Sequence, residues 1–279
     1  MDAYQPPVDR FLHLDETPIR GEWIDYAAMG FGPEHSAELI RMATDPALNR
    51  ADADSNEVWA PVHAWRVLGL LRDESAAAPL VGILADQPDE DIDEWAAEEI
   101  PEILGMIGPA AIPPLVDLLG RGSAGLYSRT GASNSLVKIA EKHPEARSEC
   151  VAAIAHILEQ AEANDPALNG FLISDLIDLG AGESAGVVER AYAGDFVDDS
   201  IPGTWFDAWQ RLVGEGEPPP KTAQKYSIFG KLSDPASTAI RPPLARPAFA
   251  RRSAESRKDR NKARQKLEQK VKGKKGKRR

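Results

Sequence analysis

From about residue 20 to 213 the apolar residues recur at helical spacing, Ala and Leu are frequent, and period-two alternation of β-branched residues is scarce. That pattern predicts one helix after another. The clearest instance is 92–107: Ile92, Trp95, Ala96, Ile100, Ile103, Leu104 and Ile107 form one apolar stripe, while Glu94, Glu98 and Glu102 follow at i, i+4 on another face. Pro101 within this stretch predicts a kink, because proline has no N–H to donate and its ring crowds the carbonyl four residues back.

The predicted helices come in similar pairs. VLGLLRDESAAAPLVGILAD at 67–86 lies beside ILGMIGPAAIPPLVDLLGR at 103–121, with Leu80 and Leu115 in the same place 35 residues apart. Two weaker copies, at 128–160 and 170–194, place Ile154 and Val187 in that role at spacings of 39 and 33. An earlier pair, EWIDYAAM then PEHSAELIRMA at 22–43, is expected to cap the series, and DFVDDSIPGTWFDAW to close it. A hairpin that recurs every 30 to 40-odd residues cannot bury its apolar face alone, and stacking on the next copy supplies the missing wall. The expected fold class is therefore all-α, a short right-handed α-solenoid of about five helical hairpins over residues 1–213.

Five motifs in order, EWIDYAAMGFGPEH, WAPVHAWRVLGLL, IPEILGMIGPAAIPPLVDLL, NGFLISDLIDLGA and YAGDFVDDSIPGTWFDAW, cover most of 20–210. The set resembles the HEAT-like, armadillo-type repeats first grouped with phycobilisome lyases, and more closely a bacterial family of uncharacterised HEAT-repeat proteins. The resemblance implies a repeat fold and assigns no activity. Its link to the lyases implies a bilin-handling enzyme as a lesser alternative, and fold alone does not transmit chemistry.

Charge divides the 279 residues more sharply than the overall net of −11 suggests. Residues 1–220 carry 13 Lys/Arg against 40 Asp/Glu, a net of −27, whereas 221–279 carry 20 against 4, a net of +16. The sign changes where the helical pattern stops. Residues 214–247 hold seven of the 22 prolines and read as a linker. Residues 248–279 hold 15 cations, 3 acids and one aromatic, a composition that cannot bury a core and reads as a disordered basic tail. Its middle, 254–271, has Ala263, Leu267 and Val271 at helical spacing. One cysteine, Cys150, allows no internal disulfide and no thiolate metal site. No apolar run reaches membrane-spanning length and no export signal opens the chain, so a cytoplasmic location is expected.

The short motifs that suggest enzymes lack their context. GESAG at 182–186 fits a nucleophile elbow, yet all five His (13, 35, 63, 143, 156) precede Ser184 and a helix leads into it. GRGSAG at 120–125 fits a dinucleotide fingerprint without the strand that must precede one. DADSNE at 52–57 has Glu57 where a Ca²⁺ loop needs Gly and His63 where it needs Glu, so Asp54 or Ser55 reads better as a helix N-cap. No coherent catalytic constellation, metal site or cofactor site emerges.

Three features bear on binding. In WAPVHAWR, Trp59, His63 and Arg66 fall at i, i+4, i+7, opposite a stripe of Val58, Val62, Trp65 and Gly69; they suit either an anion or peptide carboxylate, or packing with the His satisfied by a carbonyl. The segment 86–102 holds nine acids and no base, with Glu94, Glu98 and Glu102 offering either a solvated face or a dock for a basic partner, this chain's own tail included. In the tail, Arg251, Arg252, Arg257, Lys258, Arg260, Lys262, Arg264, Lys266, Lys270, Lys272, Lys274, Lys275, Lys277, Arg278 and Arg279 can displace counterions from nucleic acid, with no Trp or Tyr for base stacking. The expectation is a non-enzymatic scaffold that binds a protein or peptide in its groove, with the tail adding electrostatic attachment. An RNA-, ribosome- or DNA-associated factor acting through the tail is the alternative.

Overall fold

A computed structural model describes residues 3–16, 23–52, 54–87, 89 and 93–214. Every regular element among them is a helix. Two compact units meet in sequence at Ala146 and Arg147. The first contains α1 (Ser36–Ala43), α2 (Pro46–Asn49), α3 (Ala60–Leu71), α4 (Ala77–Ala85), α5 (Glu94–Ile107), α6 (Ile112–Gly120) and α7 (Leu126–Lys142). The second contains α8 (Arg147–Leu158), α9 (Pro166–Asp178), α10 (Ala185–Ala193) and α11 (Trp205–Val213). The expected linker 214–247 lies, after Gly214, outside the described residues, as does the expected tail 248–279.

In the first unit α1 packs on α3, α3 on α5 and α5 on α7, while α4 packs on α6 and against α5 and α7. In the second, α9 packs on α8 and α11, and α10 on the same two helices. The chain enters α4, α6, α8 and α10 through the same device. A three-residue 3₁₀ turn, Glu74–Ala76, Pro109–Ala111, Pro144–Ala146 or Gly182–Ser184, runs directly into each helix. The last residue of each turn, Ala76, Ala111, Ala146 or Ser184, is small and buried, spaced by 35, 35 and 38 residues. Four residues on stand Leu80, Leu115, Cys150 and Val188, all fully buried.

This corrects the register of the two weaker copies, in which Ile154 and Val187 were expected to match Leu80. Both are also buried, so hydrophobicity alone could not separate them from Cys150 and Val188. The N-terminal pair is corrected too. Residues 27–29 form a single 3₁₀ turn rather than a helix, and only α1 of the expected hairpin is regular. The segment before it still closes the unit by burying Val8, Phe11 and Tyr26. Ser55 does not cap the helix that follows, because its hydroxyl donates to the Asp52 carbonyl. Asp54 is exposed one residue before that N-cap position, its N–H donating to Asp52 Oδ1.

Helix α5 is capped by Asp93, whose carboxylate accepts from the N–H groups of Trp95 and Ala96, and it runs through the buried Pro101 to Ile107. Ile92 lies outside the described residues. Where α5 crosses α7, a Cβ on Gly105 would sit 2.9–3.0 Å from Cβ, C and O of Lys138, so only glycine allows this approach.

Candidate functional site

A polar cluster in the first unit is buried. Arg66, fully enclosed, forms a two-pronged ion pair with Glu99: Nε donates to Oε2 at 2.8 Å and an Nη group donates to Oε1. Trp65 Nε1 donates to the same Oε2 at 3.0 Å, so three N–H groups converge on one carboxylate. Burial opposes the Arg66 charge, but the hydrogen bonds and attraction of Glu99 outweigh it and hold the guanidinium protonated. The rings of Trp23 and Trp95 lie 5.0 and 5.9 Å from the guanidinium carbon, and Trp59 stands edge-on to Trp95.

His63, one helical turn before Arg66, extends the polar chain toward the N-terminal segment. Its Nε2 lies 3.2 Å from the Asp15 carbonyl and its Nδ1 2.7 Å from the Tyr26 hydroxyl. A carbonyl only accepts, so Nε2 carries the proton and Nδ1 takes the hydrogen bond from Tyr26. Burial pushes the imidazole down to about 4 and the Tyr26 phenol up to about 12, so both are neutral at ordinary pH. Phe11 packs 5.5 Å from the imidazole and 4.8 Å from Phe31. The stretch α3 thus holds α5 through a carboxylate and the N-terminal segment through a phenol and a carbonyl.

Trp59, His63 and Arg66 are therefore brought together inside the protein, at exposures of 0–1%. The opposite stripe of Val58, Val62, Trp65 and Gly69 is buried as well. The acid that sequence reasoning passed over is Glu99. It lies four residues after Trp95 and four before Ile103, within the apolar stripe of α5, and that placement is the signal that could have found it.

The outward acids have a different setting. Glu94 and Glu98 are partly exposed on α5. Glu102 lies 2.9 Å from Nζ of both Lys138 and Lys142 on α7. Burial alone would raise its carboxyl, and the hydrogen bonds from the two lysines outweigh that and hold it below the usual range. The acidic face is thus partly neutralised at its Glu102 end. Residues Arg251, Arg252, Arg257, Lys258, Arg260, Lys262, Arg264, Lys266, Lys270, Lys272, Lys274, Lys275, Lys277, Arg278 and Arg279 lie outside the described residues.

The enzyme-like motifs fall in turns between helices. Ser184 is buried at the entrance to α10. GRGSAG joins α6 to α7, and the first N–H groups of α7, on Leu126 and Tyr127, donate to Asp89 Oδ2 and Oδ1 at 3.1 and 3.2 Å, so a carboxylate of this chain already occupies the position a phosphate would take. Burial pushes the Cys150 thiol up to about 11, away from the thiolate a nucleophile requires. No group of three or more His, Cys, Asp or Glu among the described residues is placed to hold a metal ion, and no helix there is long and apolar enough to cross a membrane.

In the second unit the polar centre is an amide. Asn169 Nδ2 donates to the carbonyls of Ala161 and Phe196 at 2.9 and 2.7 Å, and its Oδ1 accepts from Asn164 at 3.1 Å. Beside it, a Cβ on Gly170 would stand 3.0 Å from the Asp198 carbonyl oxygen and 3.1 Å from Ile201. The Asn-Gly of NGFLISDL therefore fixes the DFVDDSIPG loop against α9. Comparison with family models, with curated proteins and with solved structures returned no match to this chain.

Proposed function

We propose that the chain is a non-enzymatic, HEAT-like α-solenoid scaffold that binds a protein or peptide partner along its helical rows, with the basic tail adding electrostatic attachment. The recurrence of one 3₁₀-turn-to-helix entry at 35, 35 and 38 residues carries this reading, since equal units present equivalent residues in register along a surface. The net of −27 over residues 1–220 and the partly exposed Glu94 and Glu98 favour a basic partner segment. Trp59, His63 and Arg66 take the role of internal support, because none reaches solvent.

Affinity capture with the full chain and with residues 1–214, with and without nuclease and at low and high salt, tests the reading. A partner retained by residues 1–214, resistant to nuclease and weakened by Glu94→Lys/Glu98→Lys, is the expected result. Capture that requires 248–279 and vanishes with nuclease overturns it. That outcome would instead establish the second reading, an RNA-, ribosome- or DNA-associated factor, which the 15 cations of residues 248–279 favour.

A further inference from the structure

Four large apolar side chains stand exposed among the described residues, and two of them, Phe206 and Val213, share the nine residues of α11. Phe206 is 52% exposed and Val213 47%, and at i, i+7 they lie on one side, with the partly buried Trp209 between them at i+3. Another side anchors the helix: Trp205, Ala208 and Leu212 are buried, and the Trp205 ring lies 5.6 Å from Tyr192 and 5.4 Å from Trp209. Thr204 and Asp207 fix its first turn through a reciprocal capping box. α11 is thus held in place with an apolar stripe of about 10 Å facing outward, and such rows at i, i+3, i+7 are what a partner helix docks on.

Charge decides between the occupants such a stripe could take. Residues 147–214 carry twelve Asp/Glu against three Arg and no Lys, a net of −9. Two of the three arginines are already engaged within the unit, Arg147 with Glu183 at 2.8 Å and Arg211 with Asp178 at 3.8 Å. At the N-terminal end of α11, Asp199 and Asp207 are exposed, and both add to burial in raising the Tyr192 phenol. A second copy of this surface would set −9 against −9, and an anionic lipid surface would meet it with the same sign. We propose that α11 is the docking site for a basic amphipathic helix of a partner protein, whose apolar residues cover Phe206, Trp209 and Val213 while its Lys and Arg answer the acids of the same unit. The proposal rests on the scaffold reading for the presence of a protein partner, but it uses a surface of the second unit, whereas Glu94 and Glu98 belong to the first.

The test is an amide-shift titration of the isotope-labelled full chain with a synthetic Leu/Lys peptide of about 18 residues, long enough to form a helix on binding, with its Leu at helical spacing. Two control peptides accompany it, one with the same composition in scrambled order and one with Glu in place of every Lys. Shifts concentrated on residues 205–213, an affinity at least tenfold lower for the scrambled peptide and no binding of the acidic one are the expected results. Phe206→Ser and Val213→Lys should each weaken the Leu/Lys peptide by about tenfold. Both side chains are about half exposed, a cation in the last turn of a helix suits its dipole, and an unchanged amide spectrum outside α11 shows that each variant folds. Equal affinity for the scrambled peptide overturns the proposal, since charge alone would then attract it. Shifts concentrated away from α11 overturn it, and so does no shift at all, as when a second copy or this chain's own residues already cover the stripe. Glu94→Lys/Glu98→Lys should leave the shifts on α11 unchanged, so failure here and failure of the scaffold reading are separate results.

Discussion

The two units solve the same packing problem with different polar centres. In the first unit a full ion pair, Arg66 with Glu99, is enclosed with Trp23, Trp65 and Trp95 around it; in the second a neutral amide, Asn169, ties three segments with three hydrogen bonds. An enclosed charge tolerates no loss of its partner, because desolvation of an ion costs several kcal/mol that only the counter-charge offsets. An amide loses only the hydrogen bonds it made. The first unit should therefore respond to single substitutions and to pH far more steeply than the second.

The largest effect expected is that of Glu99→Ala, which leaves Arg66 enclosed without its counter-charge. It should destabilise the first unit by about 3–5 kcal/mol, and Arg66→Met/Glu99→Met should restore most of that loss, both read by urea unfolding with amide exchange resolving the units. If the double variant is no more stable than the single one, packing rather than charge explains the cluster. Acid should separate the units next. Burial holds the folded His63 near 4 against 6.5 for the free side chain, so on acidification the unfolded chain takes up the proton first. The His63 contribution is complete above about pH 6.5 and declines toward pH 4, by about 3 kcal/mol in all. Subtracting the His63→Gln profile from that of the unaltered chain isolates it, and a flat difference would show that the imidazole is not sealed.

In the second unit, Asn169→Ala leaves the Ala161 and Phe196 carbonyls without their donor and should cost about 2 kcal/mol with no dependence on pH between 5 and 8. A loss as large as that of Glu99→Ala would erase the distinction between the two centres. The smallest effect is expected at Glu102, half-exposed between Lys138 and Lys142. Glu102→Gln should lower stability by about 0.5 kcal/mol at most, and by nothing measurable in high salt.

Much of this fold could be read from the residues. The period of the apolar positions located the helices, and the likeness of 67–86 to 103–121 located the turn-to-helix entry that α4 and α6 share, because Pro, Gly and Ala at turns are read locally. The register of the later copies could not be read that way. Ile154 and Cys150 are one helical turn apart on one buried side, and only the 3₁₀ turn ending at Ala146 decides between them. The acids of 86–102 show the same limit. Composition treats all nine alike, yet Glu99 is enclosed by residues 33 and 34 positions away and Asp89 binds the start of α7, 37 and 38 residues on. Asn169 gave no warning, since its partners lie in irregular segments whose backbone path no periodicity predicts.

Asn169 also sets an order of assembly. As the chain is made, the Ala161 carbonyl and Asn164 exist before Asn169 and can engage it at once, but the Phe196 carbonyl appears 27 residues later. Until then one amide hydrogen of α9 has only water to bind, and the glycine beside it faces no loop. Packing on α8 and two of the three hydrogen bonds are thus available to α9 early, and only the third waits for the segment that leads to α11.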